Sequence, residues 1–217
     1  MEVDLLRNYP RTRRDTSARG AEKTEEDRAI ARRFGKEFFD GDRRHGYGGF
    51  NYNPKFWQPV VPAFIDHWGL SEDSSLLDVG CAKGFMLVDF LDRLPSLRVR
   101  GIDISEYAVE NAHEKVKSRC STGCATALPF QDDEFDYVVS INTIHNLEHH
   151  ALIKALSEIE RVSKFGSFIT VDAYTNEIEK RAMLDWNLTA KTIMSVDEWV
   201  ELFKDAGYTG DYFWFMP

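Results

Sequence analysis

Two short stretches constrain this chain more than anything else in it: Leu76-Leu77-Asp78-Val79-Gly80-Cys81-Ala82-Lys83-Gly84 and Gly101-Ile102-Asp103-Ile104-Ser105. The first holds an apolar run of strand length, and the second closes another strand. The first passes through a glycine turn into residues with helical spacing, Leu87, Phe90, Leu91 and Leu94. The second ends on an acidic residue followed by Ser105, a good helix cap. Strand, turn and helix repeated in this order build a parallel sheet with crossover helices. Ligands in such sheets bind outside the carboxyl ends of the strands. Gly80 and Gly84 let the main chain approach a ligand that a side chain would block. With the Asp103 carboxylate on the adjoining strand, that edge forms a nucleoside crevice in which Asp103 can hold a ribose.

The alternation continues. Strands are expected at 75–80, 98–103, near 121–126, 135–141, 167–172 and 208–215, and helices at 59–68, 84–94, 105–118 and 150–163. A further helix is expected from the Ser195/Glu198 capping box to Gly207. Gly80, Asp103, Ser140 and Asp172 then fall at strand ends on one edge of the sheet. Upstream, residues 1–23 are polar and aperiodic. A helix is expected to open at Thr24 with Asp27 and to carry Ile30, Phe34 and Phe38 on one stripe. Residues 40–54 are rich in both glycine and aromatic rings (Tyr47, Phe50, Tyr52).

Composition narrows the function classes. The 217 residues, 43% hydrophobic and 29% charged, suit one soluble globular domain. No apolar run is long enough to span a membrane and no leader pattern opens the chain. Three cysteines, Cys81, Cys120 and Cys124, lack zinc spacing and point to a reduced, cytoplasmic setting. A net charge of -9 argues against nucleic acid as an obligate partner. The run Arg11, Arg13, Arg14 and Arg19 reads as a solvated tail.

The Gly80-x-x-x-Gly84 spacing departs from the dinucleotide pattern Gly-x-Gly-x-x-Gly, with Ala82 at the second glycine and Phe85 in the next slot. Residues 78–84 instead resemble motif I of the class I S-adenosylmethionine-dependent methyltransferases. Residues 101–105 resemble their second motif. Residues 125–130 and 135–140 resemble their adenine loop and fourth strand. The resemblance covers about residues 75–172. It implies a Rossmann-like α/β fold, a mostly parallel sheet with helices on both faces. It also implies a core over 59–217 and a helical, aromatic extension over 1–58 that covers the active site. S-adenosylmethionine would be the cofactor and S-adenosylhomocysteine the product. Asp78, Gly80, Cys81 and Gly84 would shape the turn around its amino-acid part. Asp103 would take both ribose hydroxyls, and Ile104 would lie on the adenine. Ala125 would contact the adenine edge, Ser140 the methionine moiety, and Tyr47 would close over the site. Cys124 stands where the family often has an aspartate for the adenine amino group, so that contact is weakened. The family sheet usually closes with an antiparallel hairpin, for which too few residues follow Gly207. A homodimer or the N-terminal segment is expected to cover the edge left by residues 208–215.

The acceptor side follows the fourth strand, at Asn142 to His150. His145 reads either as a general base, since imidazole titrates near working pH, or as a histidine bonded to a loop carbonyl. His149 and His150 are expected to face solvent, and no metal is expected at His145, Glu148 and His149. Asn142, Tyr52, Trp57, Tyr174 and Trp186 are further acceptor candidates, each equally readable as packing. The acceptor expected is a hydroxyl or amine of a small metabolite. Two rivals remain: a non-catalytic cofactor-binding or partner subunit on the same fold, and a nicotinamide oxidoreductase.

Overall fold

The computed structural model describes residues 1–10, 20, 23–46 and 51–216. Its centre is a sheet of seven strands: β1 (Ser75–Val79), β2 (Arg98–Asp103), β3 (Cys120–Thr122), β4 (Phe135–Ile141), β5 (Ser163–Tyr174), β6 (Met194–Ser195) and β7 (Asp211–Phe215). The order is β3-β2-β1-β4-β5, and β6 and β7 share the far side of β5. Every one of these pairings is parallel. Around the sheet lie α1 (Glu25–Ala31), α2 (Lys36–Asp40), α3 (Pro54–Trp57), α4 (Val61–Trp68), α5 (Phe85–Arg93), α6 (Glu106–Glu110), α7 (His149–Val162), α8 (Glu177–Trp186) and α9 (Val196–Asp205).

Two apolar cores flank the sheet, as a buried parallel sheet requires. Leu76, Phe64, Leu87, Phe90 and Phe168 pack on one face, and Leu77, Val138, Leu152, Ile159, Val171 and Trp199 on the other. A reciprocal clamp aligns the first and fourth strands: Ser75 N–H and its hydroxyl donate to Asp136, whose N–H donates back to the Ser75 hydroxyl.

Several expected elements are redrawn. The helix expected from Thr24 is two short ones, broken where Phe34 takes a φ of +49°. The helix expected over 105–118 stops at Glu110, because His113 N–H leaves the helix to donate to the Lys83 carbonyl (3.0 Å). Gly166, expected to separate a helix from a strand, lies inside β5, which starts directly at the end of α7. Helix α8 was not expected at all; Asn176 caps it by accepting from Ile178 and Glu179 N–H.

The last strand lies beside β5 in parallel, without an antiparallel hairpin. Its outer edge is covered by the N-terminal segment. Val3 N–H donates to the Tyr212 carbonyl and Tyr212 N–H to the Met1 carbonyl, both at 3.0 Å. Leu5, fully buried, anchors this segment among Phe64 and Phe168. Of the two covers expected for that edge, the structure supplies the N-terminal one, and an exposed aromatic edge no longer calls for a dimer.

Candidate active site

The carboxyl ends of β1, β2, β4 and β5 meet at one crevice. Motif I turns sharply out of β1: Gly80 has φ +86°, Ala82 +50° and Gly84 +73°. Gly80 and Cys81 N–H both donate to the Ile102 carbonyl (2.7 and 3.2 Å), which ties the turn to β2. A side chain at Gly80 has nowhere to go, since its Cβ would fall 2.0 Å from the Thr143 hydroxyl. Ala82 holds its left-handed conformation by donating its N–H to Asp103 Oδ2 (2.7 Å). Ser105 N–H takes the other oxygen (2.8 Å). Asp103 is thus fixed in place, with a second acceptor lone pair remaining on each oxygen. Ile104, next in the chain, is 57% exposed, a large apolar side chain left open at the crevice rim.

Asp78 is the least satisfied group in the site. It is buried at the end of β1, and no protein hydrogen bond reaches its carboxyl among the described residues. Burial, aided by the negative charge of Asp103, pushes its pKa up to about 7. Burial also raises Asp103, against the two main-chain N–H groups that stabilise its charge.

On the far side of the turn, Cys124 shares a 3.0 Å contact with the Thr126 hydroxyl, and Ala125 is half-buried against the core. The loop that follows is held down by α7. Leu128 N–H donates to Glu158, and Arg161 donates to the carbonyls of Leu128 and Phe130.

Ser140 does not face the crevice. It is completely buried and its hydroxyl donates to the Val79 carbonyl (2.9 Å), bracing the motif I turn from beneath. His145 is also buried. Its Nδ1 accepts from Asp172 N–H (2.9 Å), which places the single proton of the neutral ring on Nε2. Burial lowers its pKa, only partly offset by the nearby Asp172 carboxylate. Its carbonyl accepts from both Lys191 and Thr192 N–H, so one residue joins the β4 loop, β5 and the 187–192 loop. Glu148, His149 and His150 are exposed and do not gather with it. Asn142, at φ +51°, is held by Thr170, which donates its hydroxyl to Asn142 Oδ1.

The aromatic candidates separate. Tyr52 donates to Asp89 (2.7 Å) and packs edge-on against Phe85 and His113, beside the start of α5. Trp57 packs on Tyr9, in the core on the α5 face. Tyr174 lies at the end of β5 under the Lys180 ammonium, and Trp186 is buried near Phe215. Asn187 exchanges two hydrogen bonds with Ala190, a loop brace. Tyr47, with Gly48, Gly49 and Phe50, lies outside the described residues, as does the run Arg11 to Arg19.

One group has no counterpart in the sequence reading. Lys83 of motif I is buried and paired at 2.7 Å with both oxygens of Asp40 in α2, and Tyr107 donates to the same carboxylate. Burial would raise Asp40, but these hydrogen bonds outweigh it and hold its pKa below the usual value. The Ser105 hydroxyl donates to the Phe34 carbonyl, and Gly20 lies against Asp185 of α8. The segment before the core therefore touches the cofactor turn, the start of α6 and α8.

Comparison with known proteins agrees with this fold. A family model described as "Methyltransferase domain" matches residues 76–166. Over that span the chain is similar to the methyltransferase domain family. A tRNA (carboxymethyluridine(34)-5-O)-methyltransferase of Arabidopsis thaliana is 32% identical over 145 residues, 65% of this chain and 33% of that protein. A demethylmenaquinone methyltransferase of Staphylococcus aureus is 33% identical over 120 residues, 53% of this chain and 48% of that one. The chain thus spans a half or less of the length of either relative. Among solved structures, the complex between the Haloferax volcanii Trm112 methyltransferase activator and a putative methyltransferase shares the fold. It has a TM-score of 0.57 and 21% identity, over 91% of this chain and 77% of that one. No described helix is long and apolar enough to cross a membrane.

Proposed function

We propose that this protein is a methyltransferase that binds S-adenosylmethionine at the motif I crevice and transfers its methyl group to a hydroxyl or amine of a small metabolite. The observation that carries the reading is Asp78, a buried carboxyl with no hydrogen-bond partner among the described residues, beside a fixed Asp103. A cationic ligand group is what such a carboxyl lacks, and the cofactor carries an ammonium and a sulfonium. Asp78 would face that cationic end, Asp103 the ribose hydroxyls, Ile104 the adenine face and Ala125 its edge. When bound, the cofactor supplies an electrophilic methyl with a neutral leaving group, so the protein's task is alignment and exclusion of water. Residues 23–46, latched through Asp40 to Lys83, would serve as the cover.

His145 serves in this reading as a positioning residue. A base needs a free lone pair, and its Nδ1 lone pair is used by Asp172 N–H while Nε2 carries the proton. His145→Ala should lower stability by about 1–3 kcal/mol, the scale of a lost buried hydrogen bond and its packing. The pH–rate profile of the parent should carry no limb from an imidazole. A limb near pH 6–7 that disappears in the variant, with unchanged melting temperature, would return the base role to His145.

RNA as acceptor is a second reading, favoured by the Arabidopsis relative's activity and opposed by the net charge of -9. Calorimetric titration with S-adenosylmethionine and S-adenosylhomocysteine, with NADH as control, tests the donor. Micromolar binding of the first two and none of NADH is expected; NADH binding alone would overturn the assignment. Labelled-methyl transfer to a metabolite extract, against bulk tRNA, then separates the two acceptors.

A further inference from the structure

We propose that Cys81 and Cys120 form a reversible oxidation site beneath the motif I turn, a thiol pair that closes to a disulfide under peroxide and loosens the cofactor crevice. The consequence for the cofactor rests on the function proposed above; the crosslink itself does not.

The two sulfurs fill the space that a side chain at Gly101 would take. A Cβ there would lie 2.6 Å from the Cys81 sulfur and 3.1 Å from that of Cys120. Both sulfurs therefore converge on one point above β2. The Cys81 thiol donates to the Ala82 carbonyl (3.7 Å), with the Cys120 sulfur beside it at the Gly101 face. Their settings differ in the way a sensing pair needs. Cys81 is buried at 6% exposure, whereas Cys120 sits half-buried on a three-residue edge strand. The neighbouring Cys81 thiol lowers the Cys120 pKa against the opposing effect of burial, and the Cys120 sulfur, with burial, raises Cys81. Cys120 is thus the thiolate-forming, reachable partner, and Cys81 the resolving one. Cys124 is engaged elsewhere, with Thr126.

The chemistry balances with hydrogen peroxide as oxidant. The Cys120 thiolate attacks one peroxide oxygen; the O–O bond breaks, giving a sulfenic acid and hydroxide. The Cys81 thiol then attacks the sulfenic sulfur; the S–S bond forms, and the hydroxyl leaves as water with the thiol proton.

The link to the crevice is mechanical. A disulfide brings the sulfurs to about 2.05 Å. Cys120 pairs with Gly101, while Cys81 is tied to Ile102 from the other side of β2. Closing the bond must therefore draw in the edge strand, the motif I turn, or both. The Cys120 sulfur also lies 3.2 Å from where a Cβ of Gly84 would be, so its displacement reaches the start of α5.

The full chain is treated with a modest excess of peroxide and mapped without reductant. A Cys81–Cys120 peptide pair and a mass loss of about 2 Da are expected. S-adenosylmethionine affinity should fall at least about tenfold and return with dithiothreitol. Cys120→Ser should bind cofactor like the parent but show neither crosslink nor loss. Overoxidation of Cys120 without a crosslink, or pairing through Cys124, would overturn the site. A crosslink with unchanged affinity would overturn the coupling. If the reduced protein binds no S-adenosylmethionine, the function reading fails and the peptide map alone decides the crosslink.

Discussion

Replacing Gly80 by alanine should abolish measurable cofactor binding, at least a 100-fold loss, and lower the melting temperature as well. Two costs add at this residue. The backbone sits at φ +86°, where an L side chain costs about 1–2 kcal/mol. The new Cβ would also fall 2.0–2.6 Å from the Oγ1, Cγ2 and Cβ atoms of Thr143. Because the Thr143 Cβ itself is among these atoms, a rotamer change cannot relieve the overlap. The turn or the β4 loop must move, at an overpacking cost of about 1–3 kcal/mol. Either movement breaks the N–H bonds from Gly80 and Cys81 to Ile102 that hold motif I against β2. Adding Thr143→Gly should recover most of the lost melting temperature but little of the affinity, since the backbone strain remains. Gly80→Ala binding S-adenosylmethionine within a few-fold of the parent would mean that the ligand does not depend on this turn.

Where local chemistry decides the structure, the sequence can be read closely. Strands β2 and β4 fall on the residues expected, and Thr24, Ser105 and Ser195 cap helices as their side chains suggest. The errors arise where a distant contact overrides periodicity. Ala112 and Val116 are buried as a helical stripe predicts, yet the helix ends at Glu110 because Lys83 captures His113 N–H. Phe34 and Phe38 sit one turn apart on a helix only on paper, since the chain turns at Phe34, whose carbonyl Ser105 caps. In the site, motif I shows which residues line the turn but not what each one lacks. Asp78 appears in the sequence as a turn-shaping residue, and its burial without a partner among the described residues becomes visible only in three dimensions. Asp40 carries no sequence signal, because its partner Lys83 lies 43 residues away. Ser140 illustrates a different limit: its place at a strand end is legible, but the direction of its hydroxyl, down onto Val79, is not.

Asp78 gives the second large effect, a dependence on pH that cofactor should reverse. Its native pKa is about 7, against 3.8 for an ordinary aspartate. Between those two values the folded protein keeps a proton that the unfolded chain has released. Unfolding therefore becomes easier as pH rises from about 4 to about 7, and the loss levels off above that. Its full size is on the order of 4 kcal/mol. His145 works in the opposite direction, since burial lowers its pKa and stability falls as pH drops below about 6.5. The difference between parent and Asp78→Asn isolates the carboxyl. The variant should unfold at a clearly higher temperature than the parent at pH 7.5, and the gap should close at pH 4.5. Binding a cation at Asp78 favours its ionised form, so cofactor binding at pH 6 should release nearly one proton. Calorimetry in buffers of different ionisation enthalpy measures this. Affinity for S-adenosylmethionine should rise with pH up to about 7, below the range in which the cofactor's own amino group titrates, near 7.7. In Asp78→Asn the proton release and that rise should both vanish, and affinity should fall at least tenfold. Cofactor binding without proton uptake or release at pH 6 in the parent would place the cationic end of the ligand away from Asp78.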